Sequence, residues 1–264
     1  MNFSPGGPRS VAPIPRILHA IWIGDESRRP DRCLNSWRDM HPGWEFRLWG
    51  NAEYRGRRWK SHAQMEIFHA LGRWEGIADL MRYEILQEHG GVYVDADSIC
   101  VRPLDDWLLD LRLFAIWESE RHRPGLIANG FIGCIPGHPA MDDLVAATAR
   151  MARRPFRRSW RSLHLKGLRL AFVWDSVPAW QIVGPLLFTR VLRRYPADDV
   201  TVLPSVMFLP KHFLDAAERA SSMIYSRHEW GTTQILLGTA PRPSPVAAPP
   251  DGLPLPASGS AGLP

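Results

Sequence analysis

The chain has 264 residues, 45% of them apolar, with three cysteines and a formal net charge of +5. That size and apolar content allow a substantial core within one domain. No window approaches the roughly 20 consecutive apolar residues of a spanning helix, and Cys33, Cys100 and Cys134, an odd number without metal-type spacing, exclude a disulfide framework or a zinc site.

Taken in chain order, Met1 to Pro15 lacks the apolar stretch of a secretory signal, which predicts a cytoplasmic protein with a flexible segment at 1–13. Arg16 to Ile23 predicts a first strand, Pro30 to Met40 a helix after a turn, and Phe46 to Trp49 a second strand. Residues 62–72 and 76–88 carry helical spacing. Gly90-Gly91 ends the second of these helices and launches a strand at Val92 to Val94. Leu113 to Trp117 and Phe131 to Ile135 read as strands, and Ala140 to Met151 as a helix. The alternation predicts an α/β layered domain over 14–238, with a mostly parallel central sheet flanked by helices. From Pro241 to Pro264, eight of 24 residues are proline, so 239–264 is expected to be a disordered tail rich in Pro, Ala and Gly.

The chemistry concentrates in Gly90-Gly91-Val92-Tyr93-Val94-Asp95-Ala96-Asp97, where an apolar strand runs into two carboxylates one residue apart. Where the strand bends, such a pair converges on one ion, and two hard oxygens suit Mg²⁺ or Mn²⁺ with phosphate completing the shell. A solvated turn fits the same triplet equally well. Upstream, Asp79 and Arg82 stand at i and i+3 on one helical face; read alone they are a solvated ion pair of little energetic worth. Residues 150–169 gather seven arginines and Lys166 around Phe156, Trp160 and Leu163. A solvated basic face, a peripheral contact with anionic lipid, an anionic acceptor glycan and nucleic acid all fit those charges.

In order and spacing, several blocks resemble glycosyltransferase family 32, which includes fungal Golgi mannosyltransferases and bacterial capsular polysaccharide enzymes, and more distantly the clostridial glucosylating toxins. The blocks are Ile14-Pro15-Arg16-Ile17-Leu18-His19-Ala20-Ile21-Trp22, His41-Pro42-Gly43-Trp44, Ala78-Asp79-Leu80-Met81-Arg82-Tyr83, the Gly90 to Asp97 run, Asn129-Gly130, Gly184-Pro185 and His228-Glu229-Trp230.

The resemblance implies a GT-A type nucleotide-sugar fold and a retaining transfer from a UDP- or GDP-sugar to a glycan or lipid-linked acceptor, as in surface polysaccharide synthesis by a bacterium, with no nucleic acid partner. It implies Trp22, with Ile21 before it, at the nucleotide base, and Asp79 and Arg82 at the donor sugar and diphosphate. Asp95 would touch ribose and metal, and Asp97 would be the principal ligand of Mn²⁺ or Mg²⁺. His228 would be the third ligand, with Glu229 in reserve and Trp230 covering the diphosphate. Glu118 and Asn129 would position donor or acceptor, although an exposed carboxylate and a turn residue beside Gly130 describe them as well. The family often closes with Ser-Trp after that block, whereas this chain reads Gly231-Thr232-Thr233-Gln234.

Two rivals come from other classes. Val94-Asp95-Ala96-Asp97-Ser98-Ile99 also looks like the nucleophile motif of haloacid-dehalogenase-type phosphatases, with Asp95 phosphorylated and Lys166 and Asp198-Asp199 following in order. A non-catalytic protein binding polyanions through its arginines and tryptophans is the other.

Overall fold

A computed structural model describes residues 12–151 and 178–229. Eight strands and seven helices follow in order: β1 (Ile17–Ile21), α1 (Asp31–Met40), β2 (Glu45–Trp49), α2 (Asn51–Gly56), α3 (His62–Ala70), α4 (Trp74–His89), β3 (Gly91–Val94), β4 (Ser98–Cys100), β5 (Leu113–Ser119), β6 (Arg123–Cys134), α5 (Pro139–Met151), α6 (Ala179–Ile182), α7 (Pro185–Leu192), β7 (Thr201–Leu203) and β8 (Ser226–His228). Six strands form one sheet in the order β2-β1-β3-β6-β5-β7, and β4 with β8 forms a separate two-stranded ribbon.

Only β6 runs against its neighbours in the large sheet, so the expected mostly parallel sheet is present. A direct consequence is that β1, β2, β3, β5 and β7 all end on one edge, where α/β sheets place their ligands.

Strand alternation divides the core between the two faces. Leu18, Ala20, Val92, Val94, Phe114 and Ile116 pack with Leu34 and Trp37 of α1 on one side. Tyr93, Leu113 and Ala115 pack with Ile77 and Leu80 of α4, Leu144 of α5 and Phe188 of α7 on the other. The Gly90-Gly91 junction is needed on steric grounds: both residues have positive φ, and a Cβ would fall 2.5 Å from the Pro136 nitrogen at Gly90 and 2.7 Å from the Ile17 carbonyl at Gly91.

Most element boundaries lie close to expectation, but β6 begins at Arg123 rather than Phe131. Asn129-Gly130 is therefore strand, not turn. Gly130 is required by space, because a Cβ there would stand 2.2 Å from Asp95 Oδ2. The three cysteines are free and buried, as expected. Among the described residues no helix is long and apolar enough to cross a membrane. The 239–264 tail, 1–11 and all of the basic 150–169 segment beyond Met151 lie outside the described residues.

Candidate active site

β3 stops at Val94, and the chain folds back into β4 through a tight turn: the Ser98 amide and hydroxyl both donate to the Asp95 carbonyl, at 3.1 and 2.5 Å. Trp37 clamps this turn from α1, its indole donating to Ser98 at 3.0 Å. Because β8 pairs with β4 in the register Ser98 to His228, the C-terminal strand delivers His228 beside the turn. Its Nε2 lies 3.3 Å from Asp95 Oδ2 and 3.2 Å from Asp97 Oδ1. One ligand atom from each of Asp95, Asp97 and His228 falls within 4.8 Å of the others, the only such group found among the described residues.

The second half of the site comes from α4. Arg82 Nη2 lies 3.2 Å from Asp79 Oδ1 and Nη1 3.4 Å from Asp95 Oδ1, while Nη1 donates to the Asn129 carbonyl at 2.5 Å. The guanidinium also lies over the Tyr93 ring, at 4.3 Å from its centroid. Asn129 Nδ2 donates to Asp79 Oδ1 at 2.8 Å and to the Tyr83 hydroxyl at 3.0 Å, and Tyr83 donates onward to the Val183 carbonyl at 2.8 Å. Asp79 and Arg82 are only 7% and 6% exposed, which corrects their reading as a solvated helical pair. One buried cation is thus shared between two carboxylates.

That sharing splits the carboxylates. Burial pushes Asp79 up to about 6, with Arg82 and Asn129 offsetting only part of it. Burial would also raise Asp95, but Arg82 and the hydrogen bonds from His228 and Tyr93 outweigh it and hold that carboxyl below its ordinary value. For His228, burial works against charge, yet Asp97 and Asp95 win and raise it. The pocket between these three groups therefore favours a positive occupant. Two hard oxygens and one imidazole are a donor set that Mn²⁺ accepts readily and Mg²⁺ accepts with water in the remaining positions.

The remaining predicted residues divide. Trp22 follows β1 on the same edge, half-buried, tied by its amide to the Trp49 carbonyl and by its indole to the Asp25 carbonyl, each at 3.0 Å. The Ile21 side chain, at the last position of β1, belongs to the buried core on the α4 face. Glu118, expected to be exposed or at the sugar, is 7% exposed near the end of β5, where it meets Arg123 at 3.3 Å and His212 at 3.6 Å rather than the metal cluster. Asn129 is a buried strand residue. Glu229 bonds Arg32 through its carboxylate at 2.6 Å and the Asp97 carbonyl through its amide at 2.9 Å. Trp230 lies outside the described residues.

The phosphatase reading is overturned by topology. Asp198 and Asp199 precede β7, and Asp199 bonds Arg112 just ahead of β5, so both lie at the strand-start edge of the sheet, opposite Asp95. Lys166 lies outside the described residues.

Sequence reasoning missed Tyr93 and Tyr83 as site residues, though spacing carried both. Strand parity sends Tyr93 to the side that Asp95 takes two positions on, and helical spacing places Tyr83 four residues beyond Asp79. Gly184 was noted without a role. A Cβ on it would lie 2.8 Å from Asp79 Oδ2 and 2.7 Å from the Trp180 Cα, so glycine is what leaves that carboxylate oxygen room.

The model of the glycosyltransferase sugar-binding region containing DXD motif matches residues 27–113, and the resemblance to that family holds. Inositol phosphoceramide mannosyltransferase 1 of Schizosaccharomyces pombe is 27% identical over 209 residues, covering 76% of this chain and 59% of the relative. An uncharacterized glycosyltransferase of Acanthamoeba polyphaga mimivirus is 30% identical over 138 residues, covering 49% of this chain and 53% of that protein. This chain thus spans between half and three-fifths of the length of those two relatives. Among solved structures, the ligand-free glycosyltransferase domain from the YGT toxin superposes with a TM-score of 0.53 at 12% identity, covering 73% of this chain and 80% of that one. The fold is that of GT-A-like glycosyltransferase domains.

Proposed function

We propose that this chain is a metal-dependent glycosyltransferase that moves a sugar, with retention of configuration, from a UDP- or GDP-sugar to a hydroxyl of a glycan or lipid-linked acceptor. The observation that carries the reading is the convergence of Asp95, Asp97 and His228 from a strand end and a distant C-terminal strand, beside the buried Asp79–Arg82 pair, at the carboxyl edge of the sheet. Similarity to named mannosyltransferases supports the same class.

In this reading Asp95, Asp97 and His228 would hold Mn²⁺ or Mg²⁺, which would supply Lewis-acid neutralisation of the charge on the departing nucleoside diphosphate. Trp22 offers the base an aromatic face at the end of β1. Asp79 accepts a donor-sugar hydroxyl through Oδ2, in the space that Gly184 leaves, while Asn129 and Arg82 fix its other oxygen. Arg82 keeps Asp95 ionised for its ligand role. Asp79 and Asp95 are each tied to Arg82 through one oxygen, and in this reading Asp95 and Asp97 serve the cation, which leaves none of the three as the covalent nucleophile. The acceptor hydroxyl therefore attacks from the face that the diphosphate leaves, and its proton passes to a phosphate oxygen. A role in surface polysaccharide synthesis at the inner face of a membrane, with the basic 150–169 segment against anionic lipid, completes the reading.

The test is a panel of UDP- and GDP-sugars with Mn²⁺, following nucleoside diphosphate release. Release from one donor that EDTA abolishes supports the proposal. No release from any donor, together with salt-sensitive polyanion binding that survives Asp97→Ala, points to the non-catalytic alternative.

A further inference from the structure

Along the carboxyl edge the stations follow the strand order: Trp22 after β1, Asp95 after β3, the Asp79–Asn129 pocket against β6, and then the β5–β6 hairpin tip. At that tip Arg123 extends from the start of β6. Its guanidinium lies over the Trp180 ring at 5.1 Å and the Phe213 ring at 5.8 Å, and Glu118 holds it at 3.3 Å. The mounting is rigid. Glu118 also meets His212, and Asp215 takes both the His122 ring, at 2.7 Å, and the His212 amide, at 3.0 Å. Trp180 in turn backs onto Gly184, whose other neighbour is Asp79 Oδ2. The Arg123 side chain keeps 35% of its surface exposed while Glu118 keeps 9%. With two rings against it, one carboxylate at 3.3 Å and 35% of its side chain exposed, the guanidinium has N–H groups left to give, and its planar fork matches a carboxylate or phosphate.

We propose that Arg123, set between Trp180 and Phe213 and braced by Glu118, is the acceptor subsite and selects acceptors that bear an oxyanion near the receiving hydroxyl. The inference rests on the transferase reading.

The experiment measures binding to the full chain by calorimetry, without divalent metal, of methyl glucoside, glucose 6-phosphate and glucuronate. At least one anionic sugar should bind about tenfold or more tightly than the neutral one, the scale of a charge-assisted bidentate contact, and phosphate or carboxylate preference names the source of the oxyanion. Arg123→Gln should erase the discrimination. Glu118→Gln should sharpen it by removing the competing carboxylate, which a purely structural tie between hairpin and loop would not do. Equal binding of neutral and anionic sugars by the wild type, or discrimination that persists in Arg123→Gln, overturns the subsite. The transferase reading fails separately, by the wild type releasing no nucleoside diphosphate from any donor.

Discussion

Asp79→Asn separates the electrostatic cost of the site from its use. The wild-type carboxyl is pushed up to about 6 by burial, against 3.8 when exposed. The native state therefore binds more protons than the unfolded chain between those values, and stability is present in full below about pH 4 and lost as pH rises through about 6. At about 1.4 kcal/mol per pH unit, the gap is worth on the order of 3 kcal/mol. Asparagine keeps the shape and does not titrate. The stability of the wild type relative to Asp79→Asn should thus fall by about 3 kcal/mol between pH 4 and pH 7, measured by urea unfolding at each pH. Asp95 has the opposite displacement and shares Arg82 with Asp79, so the substitution alters it as well, but it titrates below its ordinary value and therefore outside the window from pH 4 to pH 7. Donor turnover should drop at every pH, because an amide cannot match the carboxylate's acceptor capacity at Oδ2. A flat difference across that range would refute the claim that Asp79 is held charged at a cost inside the site.

Other consequences concern the neighbouring groups. Arg82→Gln strands the buried Asp79 carboxylate and the part-buried Asp95 and should cost about 3 kcal/mol of stability near neutral pH, read as a shift in the denaturation midpoint. Mn²⁺ affinity should weaken as pH falls, because the ligand form of His228 is neutral while Asp97 and Asp95 raise its proton affinity; affinity independent of pH from 5 to 8 would remove His228 from the ligand set. Gly184→Ala should lower the denaturation midpoint, because its methyl group meets the Trp180 backbone, and should also raise the donor KM, because the same methyl group crowds Asp79 Oδ2.

The DXD turn, the Asp79–Arg82 face and His228 were legible in the sequence because each depends on local spacing plus motif order. Spacing alone left Asp95 and Asp97 open to a solvated turn and Asp79 and Arg82 to a solvated ion pair; it was the resemblance to the family, through motif order, that pointed to them and to His228. What stayed hidden depends on long-range register. Asn129-Gly130 looks like a turn locally, yet β3 and β5 both pair with β6, and the Asp95 carboxylate then requires glycine opposite it. Glu118 looked solvent-facing until the 210–215 loop closed over it with His212. The short β7 and the β4–β8 ribbon carry too few residues for periodicity, three per strand, and exist because tertiary pairing supplies their partners.

The central claim is that Asp95, Asp97 and His228 form one cation site serving a nucleoside diphosphate. Its most direct test is the depletion of the free Mn²⁺ electron paramagnetic resonance signal on titrating the ion into wild type, Asp97→Ala and His228→Ala, with and without UDP and GDP. The account predicts one ion per wild-type chain, bound more tightly with one of the nucleotides and weakened by at least about tenfold in either variant. Equal binding by all three proteins, with no effect of either nucleotide, would contradict it.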